Sequence, residues 1–279
     1  MHFWKYQGAG NDFVMLDQRE QQWLSRADTD TIARLCDRRF GIGADGLILL
    51  QHLPGYDFEM IYFNADGRES TMCGNGGRCI AAFAQDLGVV SAHCRFWAID
   101  GGHEAWIRKE KGKASWVELK MSPVPSVERP EPDTFVLNTG SPHYVRFVGA
   151  VEGVDMVQEG RSVRYSDQFR THGINVNLVA PAPLQKEGGA GALHIRTYER
   201  GVEDETLACG TGVTAAAIAH YLHSGRTGGQ ADIPVHALGG DLSVRFQANA
   251  DGSFSEIWLC GPANPVFEGT IDGQKTLHS

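Results

Sequence analysis

The sequence predicts a mixed α/β protein of two domains built alike. Three observations carry the prediction. The chain has 279 residues, which suggests about two domains. A Cys-Gly-x-Gly turn occurs twice, at Cys73-Gly74-Asn75-Gly76 and at Cys209-Gly210-Thr211-Gly212, each time after a strand and before a helix of small residues. Between the copies, Ser122 to Asp133 carries Pro123, Pro125, Pro130 and Pro132 and is the best candidate for a linker.

The elements follow in order. Phe3 to Asp17 reads as a strand, a turn at Gly8-Ala9-Gly10-Asn11-Asp12, and a second strand over Phe13-Val14-Met15-Leu16. Thr31 to Arg39 has helical spacing, with Ile32 and Leu35 on one face and Asp30 as candidate cap. Gly41 to Gly46 is a loop, and Leu47 to Leu50 an apolar strand. Phe58 to Asn64 alternates as a strand and ends in the turn Ala65-Asp66-Gly67-Arg68. Arg78 to Leu87 has helical spacing of Ile80, Phe83, Ala84 and Leu87, and short strands run on to about Leu119. In the second half Leu193 to Tyr198 alternates as a strand, Glu199 to Thr206 is a polar loop, and Val213 to Leu222 is an Ala-rich helix.

Composition narrows the function. The net charge of −9 argues against nucleic acid, which needs clustered Lys and Arg. The start lacks a basic segment followed by a long apolar run, and no stretch of about 20 apolar residues suits a membrane span. The expected compartment is therefore cytoplasmic. Six cysteines in this length are not a disulfide framework, and in a reducing compartment they are buried or reactive thiols. Cys36, Cys94 and Cys260 have apolar contexts and no glycine signature, and Cys79 falls inside a helix. All four are expected to be structural.

The two Cys-Gly-x-Gly turns carry the chemistry. Glycines there let the backbone turn sharply and let a ligand approach. The first N–H groups of a helix have no intrahelical partner, so they can bind a carboxylate. The helix dipole favours a thiolate at the same place. Such a cysteine suits the role of base, nucleophile or metal ligand. Two of them could invert a stereocentre, the thiolate taking a proton from one face and the thiol returning one to the other. Backbone N–H groups would meet the charge developing on an α-carboxylate. No Gly-rich phosphate loop with a placed Lys is evident, so no cofactor is expected. Neither cysteine belongs to a Cys-x-x-Cys pair or lies near spaced histidines, so no metal is expected.

Along nearly its whole length the sequence resembles the diaminopimelate epimerase family. The matching stretches are Gly8-Ala9-Gly10-Asn11-Asp12-Phe13, Gly41-Ile42-Gly43-Ala44-Asp45-Gly46, Phe63-Asn64-Ala65-Asp66-Gly67 and Met72-Cys73-Gly74-Asn75-Gly76-Gly77-Arg78-Cys79. Gly140-Ser141-Pro142-His143, Gly173-Ile174-Asn175-Val176, Tyr198-Glu199-Arg200-Gly201 and Ala208-Cys209-Gly210-Thr211-Gly212 follow. Asn75 separates it from the related proline racemases, which carry His there.

The resemblance implies conversion of LL-2,6-diaminopimelate to the meso form, a step of lysine and peptidoglycan precursor synthesis, by a pyridoxal-phosphate-independent epimerase. It implies two pseudo-symmetric domains, each a mixed, mainly antiparallel sheet wrapped around a central helix. The expected domains are 1–121 with 263–279, carrying Cys73, and 122–262, carrying Cys209, with the active site in the cleft between them. Cys73 and Cys209 are the implied acid/base pair, with His143 and Glu199 tuning their pKa values. Gly74, Asn75, Gly210 and Thr211 hold the reacting carboxylate. Asn11, Asn64, Asn175, Glu199 and Arg200 hold the rest of the substrate, Arg200 by forking onto a carboxylate. A homodimer is implied as well.

The chain departs from the family at Gly46, where many members carry Gln, and at Ser141, where many carry Asn. The loop Gly201 to Leu207 is slightly longer than in some members. Two other readings compete. One is a same-fold racemase or epimerase of proline or hydroxyproline. The other is a thiol redox-sensing binding protein in which Cys73 and Cys209 form a reversible disulfide. The sequence does not say which cysteine is thiolate at rest.

Overall fold

A computed structural model describes residues 1–109, 114–182 and 192–271. The chain divides into two units. One is Met1–Leu119 with the return segment from Pro262, and the other is Lys120–Gly261. Residues 272–279 of the expected return segment lie outside the described residues.

In the first unit β1 (His2–Gly8) and β2 (Asn11–Asp17) form an antiparallel hairpin. Its turn is only Ala9-Gly10, tighter than the five residues expected. Both have positive φ, 53° and 83°, the mark of the primed turns that match strand twist. Helix α1 (Thr29–Cys36) crosses to β3 (Gly46–Gln51), which lies parallel to β2. Antiparallel β4 (Phe58–Asn64) and the short β5 (Glu69–Ser70) follow. Helix α2 (Gly74–Asp86) leads to β6 (His93–Ala98), parallel to β4, and then to antiparallel β7 (Gly101–Lys109) and β8 (Ser115–Lys120).

The second unit repeats this connectivity. It contains β9 (Val127–Glu131), β10 (Thr134–Asn138), β11 (Pro142–Phe147), α3 (Met156–Arg164), β12 (Asn175–Pro181), β13 (Leu193–Glu199) and β14 (Asp204–Thr206). It continues with α4 (Gly210–His223), β15 (Gly229–Ala237), β16 (Gly240–Ala248) and the first part of β17 (Phe254–Thr270). β10–β11 is antiparallel, β11–β12 parallel across α3, β12–β13–β14 antiparallel, β13–β15 parallel across α4, and β15–β16–β17 antiparallel. β1 to β8 thus correspond to β10 to β17, α1 to α3 and α2 to α4. The later part of β17 pairs with β1 in the first unit. These are mixed sheets with few helices, as the sequence predicts.

α2 and α4 are the central helices. Gly74 to Ala84 is buried without interruption, and in α4 only Thr211 and His220 interrupt the buried run to Tyr221. A helix buried all round belongs inside a sheet layer. Its alanines, Ala81, Ala82 and Ala84 in α2 and Ala215, Ala216, Ala217 and Ala219 in α4, let strands approach on every side. Both helices start earlier than apolar spacing suggests, because their first turns are glycine-rich rather than periodic.

Three other expectations are corrected. α1 begins at Thr29 and ends at Cys36, and its N-cap is Asp28, not Asp30. The Asp28 carboxylate faces back and accepts from Ser25 N and Oγ at 2.7 and 2.8 Å. The Pro-rich stretch is not merely a linker, since it contains β9. Its paired positions are Val127, Glu128 and Glu131, none of them a proline, so no ladder donor is lost. Glu199 to Thr206 is not a plain loop but a hairpin, with Glu199 opposite Asp204. Among the described residues no helix is long and apolar enough to cross a membrane.

Phe63 is fully buried in a first-unit cluster with Val14, Leu35, Leu47, Leu49 and Ile61. Phe63→Ala is expected to cost about 3–5 kcal/mol, read as a lowered urea midpoint at unchanged slope.

Candidate active site

In the first unit the site grows from the start of α2. Cys73 is the N-cap, with extended backbone (φ −95°, ψ 144°), and its sulfur accepts from Gly76 N at 3.2 Å. A cysteine sulfur so placed replaces the usual Ser or Asp cap oxygen. The N–H bond directed at it favours the thiolate form. Cys73 is half-buried. Asn11, the first residue of β2, accepts at its Oδ1 from the Cys73 thiol at 3.7 Å and from Asn75 Nδ2 at 3.4 Å.

Asp45 fixes Asn11. Its Oδ2 accepts from Asn11 Nδ2 at 2.6 Å, and its other oxygen accepts from Arg38 at 2.7 Å. Arg38 also pairs with Asp12, as does Lys5. Burial works against the Asp12 charge. The bonds from Arg38 and Lys5 outweigh it and hold the carboxyl well below the usual carboxylate range. Gly74 and Asn75 supply the first helical N–H groups, and the first turn of α2 has no acidic residue to occupy its positive end. Asn64 is exposed at the end of β4, opposite Gly46 in register.

Gly46 has no room for a side chain. A Cβ there would lie 2.5 Å from Phe63 O and 2.6 Å from Tyr62 Cε2. The Tyr62 ring fills the space beside this strand end.

In the second unit the site grows from the start of α4. Cys209 is the N-cap, also extended (φ −108°, ψ 112°), and is 8 % exposed. Its sulfur is 3.4 Å from Thr211 Oγ1. Thr211 Oγ1 in turn lies 2.9 Å from His143 Nε2. The other ring nitrogen of His143 faces Asn177 Nδ2 at 3.1 Å, while Asn177 Oδ1 accepts from Thr197. That amide orientation makes Nδ1 the acceptor, so the proton sits on Nε2 and is donated to Thr211. His143 is fully buried on β11. Burial, with the Arg200 charge adding to it, pushes its pKa down to about 3. It acts as a neutral ring that orients Thr211.

Glu199, at the end of β13, receives a hydrogen bond from the Cys209 thiol, and Thr206 Oγ1 donates to it at 3.1 Å. Burial raises its pKa despite these two bonds. Asn175 Oδ1 accepts from Arg200 N at 2.9 Å, and its Nδ2 donates to Ser141 Oγ at 2.8 Å and Pro142 O at 3.0 Å. Arg200 is anchored by His172 O at 3.0 Å and by Ser141 Oγ at 3.5 Å. Ser141 thus serves both Asn175 and Arg200 with one hydroxyl. Gly212 is required by close approach, because a Cβ there would lie 2.5 Å from Asn177 Oδ1.

The predicted residues therefore form one group within each unit. Asn11, Cys73, Gly74 and Asn75 are joined directly, with Asn64 reached through the strand pairing at Gly46. His143, Asn175, Glu199, Arg200, Cys209, Gly210 and Thr211 make up the second group. Sequence reasoning missed Asp45, Asn177 and Thr206. Asn177 could have been found, because residues two apart on a strand share a face and Asn175-x-Asn177 is such a pair. The remaining cysteines differ in kind. Burial pushes the thiols of Cys36, Cys79 and Cys94 each up to about 12, so they stay protonated at neutral pH. Among the described residues, no group of three or more His, Cys, Asp or Glu could hold a metal.

The fold is one shared by several known structures. A phenazine biosynthesis protein of the PhzF family from Bacillus anthracis superposes with a TM-score of 0.72 at 12% identity, over 96% of this chain and 98% of that one. A hydroxyproline epimerase from Agrobacterium vitis gives 0.68 at 15% identity, over 96% and 91%. The sequence comparisons are narrower. The family model for diaminopimelate epimerase matches residues 3–125 and 135–264. The diaminopimelate epimerase of Flavobacterium psychrophilum is 48% identical over 97% of this chain and 100% of its own length. That of Aquifex aeolicus is 38% identical over 97% and 98%. The chain belongs to the diaminopimelate epimerase family.

His143 also makes a pH prediction. Its folded pKa of about 3 lies below the usual value of about 6.5. Below about pH 6.5 the unfolded chain takes up a proton that the folded chain refuses. Its share of stability is thus present above that pH and falls by about 1.4 kcal/mol per pH unit towards pH 3. Urea midpoints between pH 7 and 4.5 should fall with acid, and less steeply in His143→Asn. Parallel slopes for the two proteins would contradict the buried neutral ring.

Proposed function

We propose that the chain interconverts LL- and meso-2,6-diaminopimelate without a cofactor, Cys73 and Cys209 being its two proton-transfer groups. The observation that carries this reading is the repeated one. Each cysteine is the N-cap of a buried helix whose first turn is glycine-rich and free of acidic residues. One thiolate removes the α-proton and becomes a thiol. The other thiol returns a proton to the opposite face and becomes a thiolate. The enzyme therefore ends each turnover with the protonation of its two sulfurs exchanged, and the reverse reaction starts from that state.

The α-carboxylate is held by the N–H groups of Gly74-Asn75 and Gly210-Thr211, where helix dipoles meet the charge that develops on deprotonation. Substrate recognition falls to Asn11, Asn64, Asn175, Glu199 and Arg200. Arg200 has the fork for a carboxylate and Glu199 an acceptor for an ammonium group. His143 and Glu199 tune Cys209, the first through Thr211 and the second directly. The product serves lysine biosynthesis. A homodimer and a cytoplasmic location go with this reading, and sedimentation and cell fractionation test them.

Cys73→Ala and Cys209→Ala are each expected to lower epimerisation by about 10²–10⁴-fold or more, with the circular dichroism spectrum unchanged. Wild-type activity in either variant would remove that cysteine from the mechanism. Assay of the wild-type protein on diaminopimelate, proline and hydroxyproline should show turnover of diaminopimelate alone. Turnover confined to the cyclic amino acids would overturn the substrate assignment.

A further inference from the structure

The hairpin that carries Glu199 and Arg200 has an unusual turn. Glu199 is paired with Asp204, so the turn is Arg200 to Glu203. Gly201 and Glu203 both have positive φ, 93° and 59°. Glycine adopts that region freely, whereas a glutamate does so at a cost. A residue held there is kept in place by its surroundings. The turn opens the stretch Gly201 to Leu207, which is slightly longer than in some family members.

The Glu203 carboxylate makes the bonds that hold it. Oε1 accepts from Gly201 N and from Arg164 Nε, each at 3.2 Å, with Arg164 Nη2 at 3.1 Å. Oε2 accepts from the hydroxyls of Tyr165 and Tyr198, each at 3.0 Å. The Glu203 N–H donates to Glu199 O at 2.8 Å. Tyr198 is fully buried beside Glu199 on β13, and Arg164 is the last residue of α3. Glu203 thus ties the turn to β13 and to α3 at once. Burial works against its charge, but the bonds from Gly201, the two tyrosines and Arg164 outweigh it and hold the carboxyl below its usual range.

Two arginine side chains meet at the same place. A Cβ at Gly173 would lie 2.6 Å from Arg200 Cδ and 2.9 Å from Arg164 Cζ, so both pack on one bare stretch of backbone. Glu203 neutralises Arg164. The Arg200 guanidinium is bonded instead to neutral oxygens, His172 O and Ser141 Oγ, which leave its charge uncancelled. Without Glu203, Arg164 would compete with Arg200 for an incoming anion, and the peptide that follows Arg200 would lose its anchor at Gly201 N.

We propose that Glu203 is a positioning residue for substrate recognition: by neutralising Arg164 and fixing the Arg200–Gly201 peptide, it presents Arg200 as a directed cation to the carboxylate at the end of the substrate away from the reacting carbon. The inference rests on the epimerase reading of the chain and assigns nothing to the two thiols.

The test is initial-rate kinetics on diaminopimelate for the wild type, Glu203→Gly and Glu203→Gln. Glycine suits the positive φ, so Glu203→Gly keeps the turn and removes the carboxylate. Its KM should rise about tenfold or more, while kcat changes by less than about threefold, because the lost binding is made equally before and during proton transfer. Circular dichroism and the urea midpoint check that it is folded. Glu203→Gln keeps an acceptor for Gly201 N and the tyrosines but not the charge opposite Arg164, and should raise KM by about threefold. An unmoved KM in folded Glu203→Gly would overturn the proposal, and so would a loss confined to kcat. Should Glu203→Gly not fold, an unmoved KM in Glu203→Gln overturns it equally. A wild-type protein without activity on diaminopimelate would defeat the function and this inference together. An active wild type with an unmoved KM in the variants defeats the inference alone.

Discussion

Each of the sulfurs of Cys73 and Cys209 is fixed because a buried helix begins at its residue. A helix start presents N–H groups with no partner inside the helix, and burial makes leaving them unmatched costly. At Cys73 the sulfur itself takes one of those bonds, from Gly76 N. The remaining N–H groups of the first turn are suited to a carboxylate, and the side chain best placed to act on that ligand is the cysteine. Glycines at the next positions keep Cβ atoms out of the way, as the 2.5 Å gap between a notional Gly212 Cβ and Asn177 Oδ1 illustrates. Moving either helix by a fraction of an ångström would disturb the sulfur and the first-turn N–H groups together.

The surrounding sheets hold those helices in place. Strands, crossings and parallel pairings recur in the same order in both units, which suits a duplicated frame that delivers one cysteine per copy. The two copies are dressed differently. The first carries a buried guanidinium at Arg78 and the Asn11–Asp45 brace. The second carries a neutral His143, a half-buried carboxyl at Glu199 and a hydroxyl at Thr211. Epimerisation needs one base and one acid at a time, so a frame repeated in backbone and unequal in charge suits the reaction.

Much of this is legible in the sequence, because the two Cys-Gly-x-Gly turns are local features with local physics. The helices that follow are legible in part. Their alanines and apolar residues mark the interior, but the glycines of the first turn hide where each helix starts. β9 is hidden because prolines signal a break, and only the pairing shows that they avoid its hydrogen-bonded positions. Arg78 stands inside a recognisable motif, but an arginine in a helix is usually solvated and nothing in one sequence reveals its burial. Asp45 likewise needs the parallel pairing of β2 with β3 before it can be seen to reach Asn11. The departures at Gly46 and Ser141 become intelligible only in three dimensions. Tyr62 fills the space beside the first, and the hydroxyl of the second serves both Asn175 and Arg200.

The central claim is that two separate groups move the proton, and isotope incorporation tests it most directly. Pure LL-diaminopimelate is incubated with the enzyme in deuterated water, and both isomers are isolated early in the reaction. The account predicts deuterium at the inverted α-carbon of the meso product and none in the remaining LL substrate, because one sulfur removes the original proton and the other delivers a solvent-derived one. Equal early labelling of substrate and product would mean that a single exchanging group serves both faces, and would contradict it.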